Sequence, residues 1–283
     1  MGLGGYLAWT GVIRELATKL PENTKILPCE MHGNQITKIV KSPVFECNPH
    51  VYSGEEGVKL FPLVLNNPKA NYCKIDRPTY TKQRYDKHMI AQMCEVYGIQ
   101  DPDIQCEMFF LNEEREQVSD LLQKEGVGKN YIVIEPHSKE NYTPNRKYSF
   151  KKWQNVVNSL KDKIQFVQIG APRSEVLEGV VSLVGKITFR EAALVIEKSR
   201  IFVSTEGGLS HAANAVKKRS LIVLTGYQGY DMVAYPNNIN IDISTHGPCG
   251  LKIDCDKCSD DVYNHNENDI VDLLEKELFK NEQ

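Results

Sequence analysis

The sequence predicts an α/β protein built round a parallel sheet, in two parts that meet at a cleft. Three observations carry this. From residue 131 onward, short apolar runs alternate with amphipathic helical segments, the pattern of repeated strand–helix units. Gly126-Val127-Gly128-Lys129-Asn130 breaks pattern and composition just before that alternation begins. The stretch IFVSTEGGLSHAANA, residues 201–215, joins a strand to a helix through an acidic residue and two glycines.

Taken in order, the chain opens on GLGG and an amphipathic helix with Trp9, Val12, Ile13, Leu16 and Leu20 at helical spacing. A glycine loop that opens a helix usually follows a strand, and none precedes this one. Either the first strand is absent or the native chain starts upstream of Met1. Residues 25–29 read as a short strand. Residues 41–75, with Pro43, Pro49, Pro62 and Pro68, read as irregular surface suited to a variable partner. Residues 80–98 read as a helix with Met89, Ile90, Met93 and Tyr97 on one face and His88 beside it, and residues 112–124 as another. After the break, strands are expected at 131–135, 164–169, 180–184, 201–205, 220–225 and 239–243. Helices are expected at 150–160, 188–198, 209–216 and 267–280, the second opened by a capping box of Thr188 and Glu191. The expected domains are residues 1–126, a shorter α/β unit, and 127–283, a Rossmann-like one.

Composition narrows the function. The chain has 283 residues, 41% hydrophobic and 25% charged, with a net charge of −3. That balance belongs to a globular protein and gives no electrostatic case for nucleic acid as partner. No apolar run approaches the ~18 residues that span a membrane, so membrane contact is at most peripheral. The N-terminal stretch lacks the charged start and cleavage site of a signal peptide, and a cytoplasmic location is expected. Of eight cysteines, Cys29, Cys47, Cys73, Cys94 and Cys106 are scattered and read as reduced structural residues.

The polar residues that carry chemistry gather at strand ends. Pro136-His137-Ser138 follows the strand at 131–135. Asn145-Arg146-Lys147-Tyr148 precedes the helix holding Trp153. Gln168 and Gly170 end the strand at 164–169. Glu206-Gly207-Gly208 and His211 follow the strand at 201–205. Open α/β sheets bind ligands outside the carboxyl ends of their strands, so these groups can share one pocket. Free amides and the dipole at the N-terminus of the helix at 209–216 suit a phosphate. Arg146 and Lys147 add positive charge for a diphosphate, and Glu206 can accept hydrogen bonds from sugar hydroxyls.

Cys249, Cys255 and Cys258 form a separate cluster, two of them as C-x2-C. Such spacing fits a metal knuckle holding structural zinc or iron; the alternative is a reduced loop with no metal. A closed tetrahedral site needs a fourth ligand, and His246, His265 or a distant cysteine can supply it.

The segments IVIEPHS, NRKYSFKKW, FVQIG and VSLVGKITFREAALVIEKSRIFVSTEGGLSHAANAV, in that order, resemble the donor-binding half of glycosyltransferase family 9, the ADP-heptose lipopolysaccharide heptosyltransferases and their relatives. The N-terminal GLGGYLAWTGVIREL looks like that family's Gly-rich opening loop and first helix, and the likeness is faint over residues 25–125. The resemblance implies a GT-B fold, two Rossmann-like domains facing across a cleft, the first on the acceptor side and the second binding the nucleotide sugar. It implies inverting transfer of a sugar, a heptose by analogy, from an ADP-heptose-like donor to a saccharide or protein acceptor in lipopolysaccharide or surface-glycan biosynthesis. No cofactor is required for the transfer, since fixed positive groups can stabilise the leaving diphosphate. Carried over by position, Ser138 and Lys147 hold phosphate, Glu206 binds donor hydroxyls, and Gly207, Gly208 and His211 surround the diphosphate; Arg146, Gln168 and Gly170, placed at strand ends, complete the expected donor site. Gly2, Gly4 and Gly5 form the acceptor-side loop. Some relatives carry a comparable cysteine-rich segment, and in one branch it holds iron. One departure stands out: where the family's loop has an Asp as general base, this chain has Gly5, which cannot take a proton. Asp76, Asp86 and His88 are substitute candidates. The same departure motivates a second reading, a non-catalytic sugar-nucleotide-binding homologue acting as partner or regulator. A Rossmann dehydrogenase is weaker, for want of a G-x-G-x-x-G between strand and helix.

Overall fold

The computed structural model describes residues 2–139 and 141–279. In chain order its strands are β1 (Thr24–His32), β2 (Gln35–Ile39), β3 (Lys59–Val64), β4 (Cys73–Arg77), β5 (Tyr80–Gln83), β6 (Tyr131–Glu135), β7 (Gln165–Gln168), β8 (Val181–Ser182), β9 (Ile201–Thr205), β10 (Ser220–Leu224) and β11 (Ile239–Asp242). Its helices are α1 (Leu3–Ala17), α2 (Met89–Glu95), α3 (Asn112–Lys124), α4 (Phe150–Leu160), α5 (Phe189–Lys198), α6 (Gly208–Ala215), α7 (Tyr230–Val233), α8 (Asp256–Asn264) and α9 (Asn268–Leu278).

The second half forms a parallel sheet of order β11-β10-β9-β6-β7-β8. The chain starts it in the middle at β6, steps outward through β7 and β8, then returns to β9 on the other side of β6. Strand order therefore reverses between β6 and β9, and the crevice outside their carboxyl ends is where such sheets take ligands. Glu135 ends β6 in register with Ser204 of β9, and Glu206 follows β9 directly. Two carboxylates thus flank the switch point.

Alternation along the strands separates two cores. Ile132, Ile134, Ile201, Val203, Leu221 and Val223 face Trp153, Val156 and Val157 of α4 and Ile270 and Leu274 of α9. Val133, Phe202, Ile222 and Leu224 face a larger cluster that includes α5, α6, α1 and α2. That cluster runs without a break from Leu7 to Tyr235, so the helices of the first half pack directly on those of the second. Helix α1 is buried more widely than its spacing suggests, at Leu7, Ala8 and Thr10 as well as the expected stripe, because α2 and α6 both cover it.

The first half carries a smaller sheet of order β2-β1-β3, with β3 parallel and β2 antiparallel to β1, and a separate β4–β5 hairpin. Three expectations are corrected here. The strand at 25–29 extends to Thr24–His32, because the hairpin with β2 prolongs it. Residues 41–75 contain β3; it lies at the sheet edge, where Pro62 interrupts no further ladder. Residues 80–98 are not one helix. Thr81 is drawn into β5 by hydrogen bonds to Gly250, and only Met89–Glu95 is helical, with His88 as its N-cap. The terminal helix expected at 267–280 is α9, with residue 280 outside the described residues, and α8 before it was not expected. Among the described residues no helix is long and apolar enough to cross a membrane.

Candidate active site

A cleft of about 1190 Å³ opens at the switch point, lined from both halves of the chain. Of the residues singled out in the sequence, Gly2, Gly4, Gly5, Ser138, Arg146, Gly170, Glu206, Gly207, Gly208 and His211 line it.

Two helix N-termini meet there. Helix α1 begins at Leu3 after Gly2, and α6 begins at Gly208 after Gly207. The first amides of each helix have no intrahelical acceptor. The close approach depends on Gly4: a Cβ at that position would lie 2.8 Å from His211 Cδ2 and 3.1 Å from Gly208 Cα. Ser210 closes the turn before α6, its Oγ accepting from Gly207 N at 3.1 Å and donating to Gly207 O at 2.7 Å. Gly207 itself is extended, with φ −178° and open space where a side chain would stand.

Beside these termini, Arg146 Nε lies 2.8 Å from Glu206 Oε2, an ion pair set off-line for a hydrogen bond. Arg146 Nη2 donates to Gln228 Oε1 at 2.8 Å, and the guanidinium lies 5.3 and 5.0 Å from the ring centres of Tyr142 and Tyr227. Burial raises the Glu206 carboxyl above its ordinary value, against the pull of Arg146. His211 is buried, with Nδ1 2.6 Å from Tyr235 Oη and Nε2 3.8 Å from Glu206 Oε1. Burial, then the neighbouring His88 and Arg146 charges, lower its pKa to about 3, so it is neutral at pH 7. A neutral His211 that accepts from Tyr235 carries its proton on Nε2, the side of Glu206. Ser138 Oγ is shielded from solvent and has no hydrogen-bond partner among the described residues.

The other predicted residues stand elsewhere. Lys147 is exposed and off the cleft: it follows the short turn Pro144–Arg146, which sends Arg146 inward and the next side chain outward. Gln168 is wholly buried and braces a loop, donating to Glu175 O and accepting from Leu177 N, both at 2.8 Å. None of the three candidate bases lines the cleft. Asp76 is on an exposed face of β4. Asp86 is held by Arg84 at 2.6 Å. His88 accepts from Ile90 N at 3.2 Å as a helix cap, and burial lowers its pKa to about 4.

Sequence reasoning missed Glu135. It lines the cleft and is half-buried, and the protein around it pushes its carboxyl up to about 8, partly opposed by the Ser204 hydroxyl. It shares with Glu206 the place of an acidic residue closing an apolar strand, but not the glycines and helix start that follow Glu206. Glu30 and the aromatic wall of Tyr72 and Tyr142 also line the cleft, from segments with no motif.

The cysteine cluster is assembled. Cys255 caps α8 and Cys258 lies in its first turn, so the two face the same way. Cys258 Sγ is 3.5 Å from Cys249 Sγ and 3.6 Å from His246 Nε2, and the ligand atoms of His246, Cys255 and Cys258 lie within 4.8 Å of one another. His265, the other candidate, instead sits with Nδ1 2.8 Å from Tyr148 Oη. Three soft sulfurs and one imidazole fit a tetrahedral site for zinc or iron. His246 Nε2, the nitrogen that faces Cys258, also has Asp261 Oδ2 at 3.4 Å. All eight cysteines are free of disulfides.

A cleft at the switch point of a parallel sheet, closed by a second α/β half and faced by helix N-termini, defines a GT-B-type protein. The family model of glycosyltransferase family 9 (heptosyltransferase) matches residues 72–249, well over half of the sequence, and the chain belongs to that family. Solved structures agree on the fold. The family 9 glycosyltransferase from Veillonella parvula DSM 2008 superposes with a TM-score of 0.70 at 13% identity, over 99% of this chain and 95% of that one. The ADP-heptose lipopolysaccharide heptosyltransferase II of E. coli gives 0.65 at 11% identity, over 99% and 97%. The iron-containing dodecameric glycosyltransferase TibC from enterotoxigenic E. coli H10407 gives 0.63 at 12%, over 98% and 74%. No curated protein sequence matches the chain.

Proposed function

We propose that this glycosyltransferase acts in the cytoplasm, moving a heptose from ADP-heptose to a saccharide or protein acceptor of a bacterial surface glycan, with inversion. The observation that carries the reading is the meeting of the α1 and α6 N-termini beside the Arg146–Glu206 pair. Amides from two helices, two dipoles and a guanidinium form a receptor for a diphosphate. Ser138 Oγ, without a partner of its own, donates to the same phosphates. Glu206 receives donor hydroxyls, and His211 supports its orientation. The donor is taken from the family and from the heptosyltransferase among its structural relatives.

Transfer needs a group to take the acceptor proton. The cleft is lined by the carboxylates of Glu30, Glu135 and Glu206. Glu30 has Lys38 at 3.7 Å and Glu206 has Arg146 at 2.8 Å. For Glu135 no basic group among the described residues stands at ion-pair distance, and its raised pKa suits a base. In this reading the acceptor hydroxyl oxygen attacks the anomeric carbon and its proton passes to Glu135. The bond from that carbon to the diphosphate oxygen breaks, and the helix amides and Arg146 receive the charge that develops on the leaving ADP. The cluster of His246, Cys249, Cys255 and Cys258 holds a structural metal, iron by analogy with TibC or else zinc, which cross-links its loop.

The test is turnover: ADP release from ADP-heptose with and without added acceptor glycans, the product weighed by mass spectrometry. Glu135→Gln should bind ADP normally and lose about 10²–10⁴ in kcat. A wild-type protein that binds the donor and never releases ADP would mark a binding protein instead of a transferase.

A further inference from the structure

The cysteine cluster and the cleft are joined by one buried side chain. Asn145 directly precedes Arg146 and is 5% exposed. Its Nδ2 donates to Leu251 O at 2.9 Å and Ile253 O at 2.8 Å, and its Oδ1 accepts from Cys255 N at 3.0 Å. All of these bonds go to the loop between Cys249 and Cys255. Thr143 adds a bond from Oγ1 to Leu251 O at 2.7 Å, and Thr225 Oγ1 fixes the Asn145 carbonyl at 2.7 Å.

The loop is gripped at its ends and its far side too. Cys249 and Cys255, its two ends, belong to the thiol cluster, where Cys258 meets Cys249 at 3.5 Å. Its outer edge extends the β4–β5 hairpin: Thr81 N donates to Gly250 O at 2.7 Å, Lys252 N to Thr79 O at 2.9 Å, and Tyr80 bridges Leu251. Gly250 is in the left-handed region at φ +62°, and a Cβ there would collide with Thr81 O. Without a ligand bridging its ends, the loop is held by these backbone bonds and by the side chains of Asn145 and Thr143. A metal shared by the cysteines would remove much of its freedom.

We propose that Asn145 is a positioning residue that couples the metal-binding cluster to the donor site, setting Arg146 against Glu206 only when the loop between Cys249 and Cys255 is fixed. The inference rests on the donor-site reading above. Coupling of this kind is reciprocal: if the metal strengthens nucleotide binding, the nucleotide strengthens metal retention by the same factor.

The experiment uses ADP as probe, calorimetry for its affinity and plasma mass spectrometry for metal content, on the full-length protein. Wild type should carry about one metal per chain. Stripping it with a chelator should weaken ADP binding about 5-fold or more, and saturating ADP should slow the stripping. Asn145→Ala should keep its metal and still bind ADP about 5-fold or more weakly, and stripping it should cause little further loss. A side chain that only stabilised the fold would lower the melting temperature and leave the ADP affinity of the folded, metal-loaded variant unchanged; that result would overturn the proposal. Wild type purified without metal, or bound as tightly to ADP after stripping, would overturn it as well. Thr143→Val, which gives up the bond to Leu251 O and the cap bond from Asn145 N, tests the same link if Asn145→Ala does not fold, and should shift ADP affinity in the same direction with metal retained. Wild type that binds no ADP at all refutes the donor-site reading itself.

Discussion

Glu135 and Glu206 occupy equivalent places at the ends of neighbouring strands, yet differ in company. Glu206 faces a guanidinium at 2.8 Å, while Glu135 borders the cleft with only the Ser204 hydroxyl to favour its charge. A carboxyl raised from 4.5 to about 8 by burial binds its proton more tightly folded than unfolded. Its stabilising contribution is therefore complete below the ordinary carboxylate range and is lost as pH rises through about 8. Wild type should lose stability relative to Glu135→Gln between pH 5 and 9, read from melting temperatures of both proteins; equal pH dependence would contradict the assignment. The pH profile of kcat/KM should show an acidic limb in wild type that Glu135→Gln removes. Glu206 was legible in the sequence because two glycines and a helix start follow it. Glu135 was not, because it closes an apolar run without a turn motif, and only the sheet order brings it beside Glu206. Arg146 and Lys147 are adjacent in sequence, and nothing before the turn at Pro144–Arg146 was seen could tell which of them faces inward.

At the scale of elements, the strands and the longer helices of the second half could be read, since they repeat with clear periods, while α7 and α8 were not expected. The capping box of Thr188 and Glu191 is present, with Thr188 N donating to Glu191 Oε2 at 2.6 Å. The first half resisted. Residues 80–83 are a strand because they pair with β4, and Thr81 is further held by Gly250 and Tyr227, far along the chain, which no local propensity records. The contact of α1 with α6 through Gly4 was equally invisible, although the glycine was noticed. Gly4→Ala should force the two helix starts apart, lowering stability by about 1–3 kcal/mol and weakening ADP binding. Chemical denaturation and calorimetry check the two effects. A variant with wild-type stability would mean that the helices can part freely and that the paired N-termini are not a fixed receptor.

For the whole molecule, the order of the parallel sheet decides where the ligand goes, and the shared hydrophobic core decides what closes over it. Both halves contribute to one cluster, so the cleft has a firm floor at α1 and α6. The loop of the thiol cluster, distant in sequence from Arg146, is bonded by Asn145 and Thr143 to the segment just before that arginine. The central requirement is that this cleft binds a nucleoside diphosphate sugar. The most direct test is calorimetry with ADP-heptose, set against ADP, a GDP-sugar and a UDP-sugar, on wild type and Glu206→Ala. ADP-heptose should bind tightest, weakened ~30-fold or more in Glu206→Ala, where a buried charged partner is lost. Absence of binding to every one of these ligands, or binding untouched by Glu206→Ala, would contradict it.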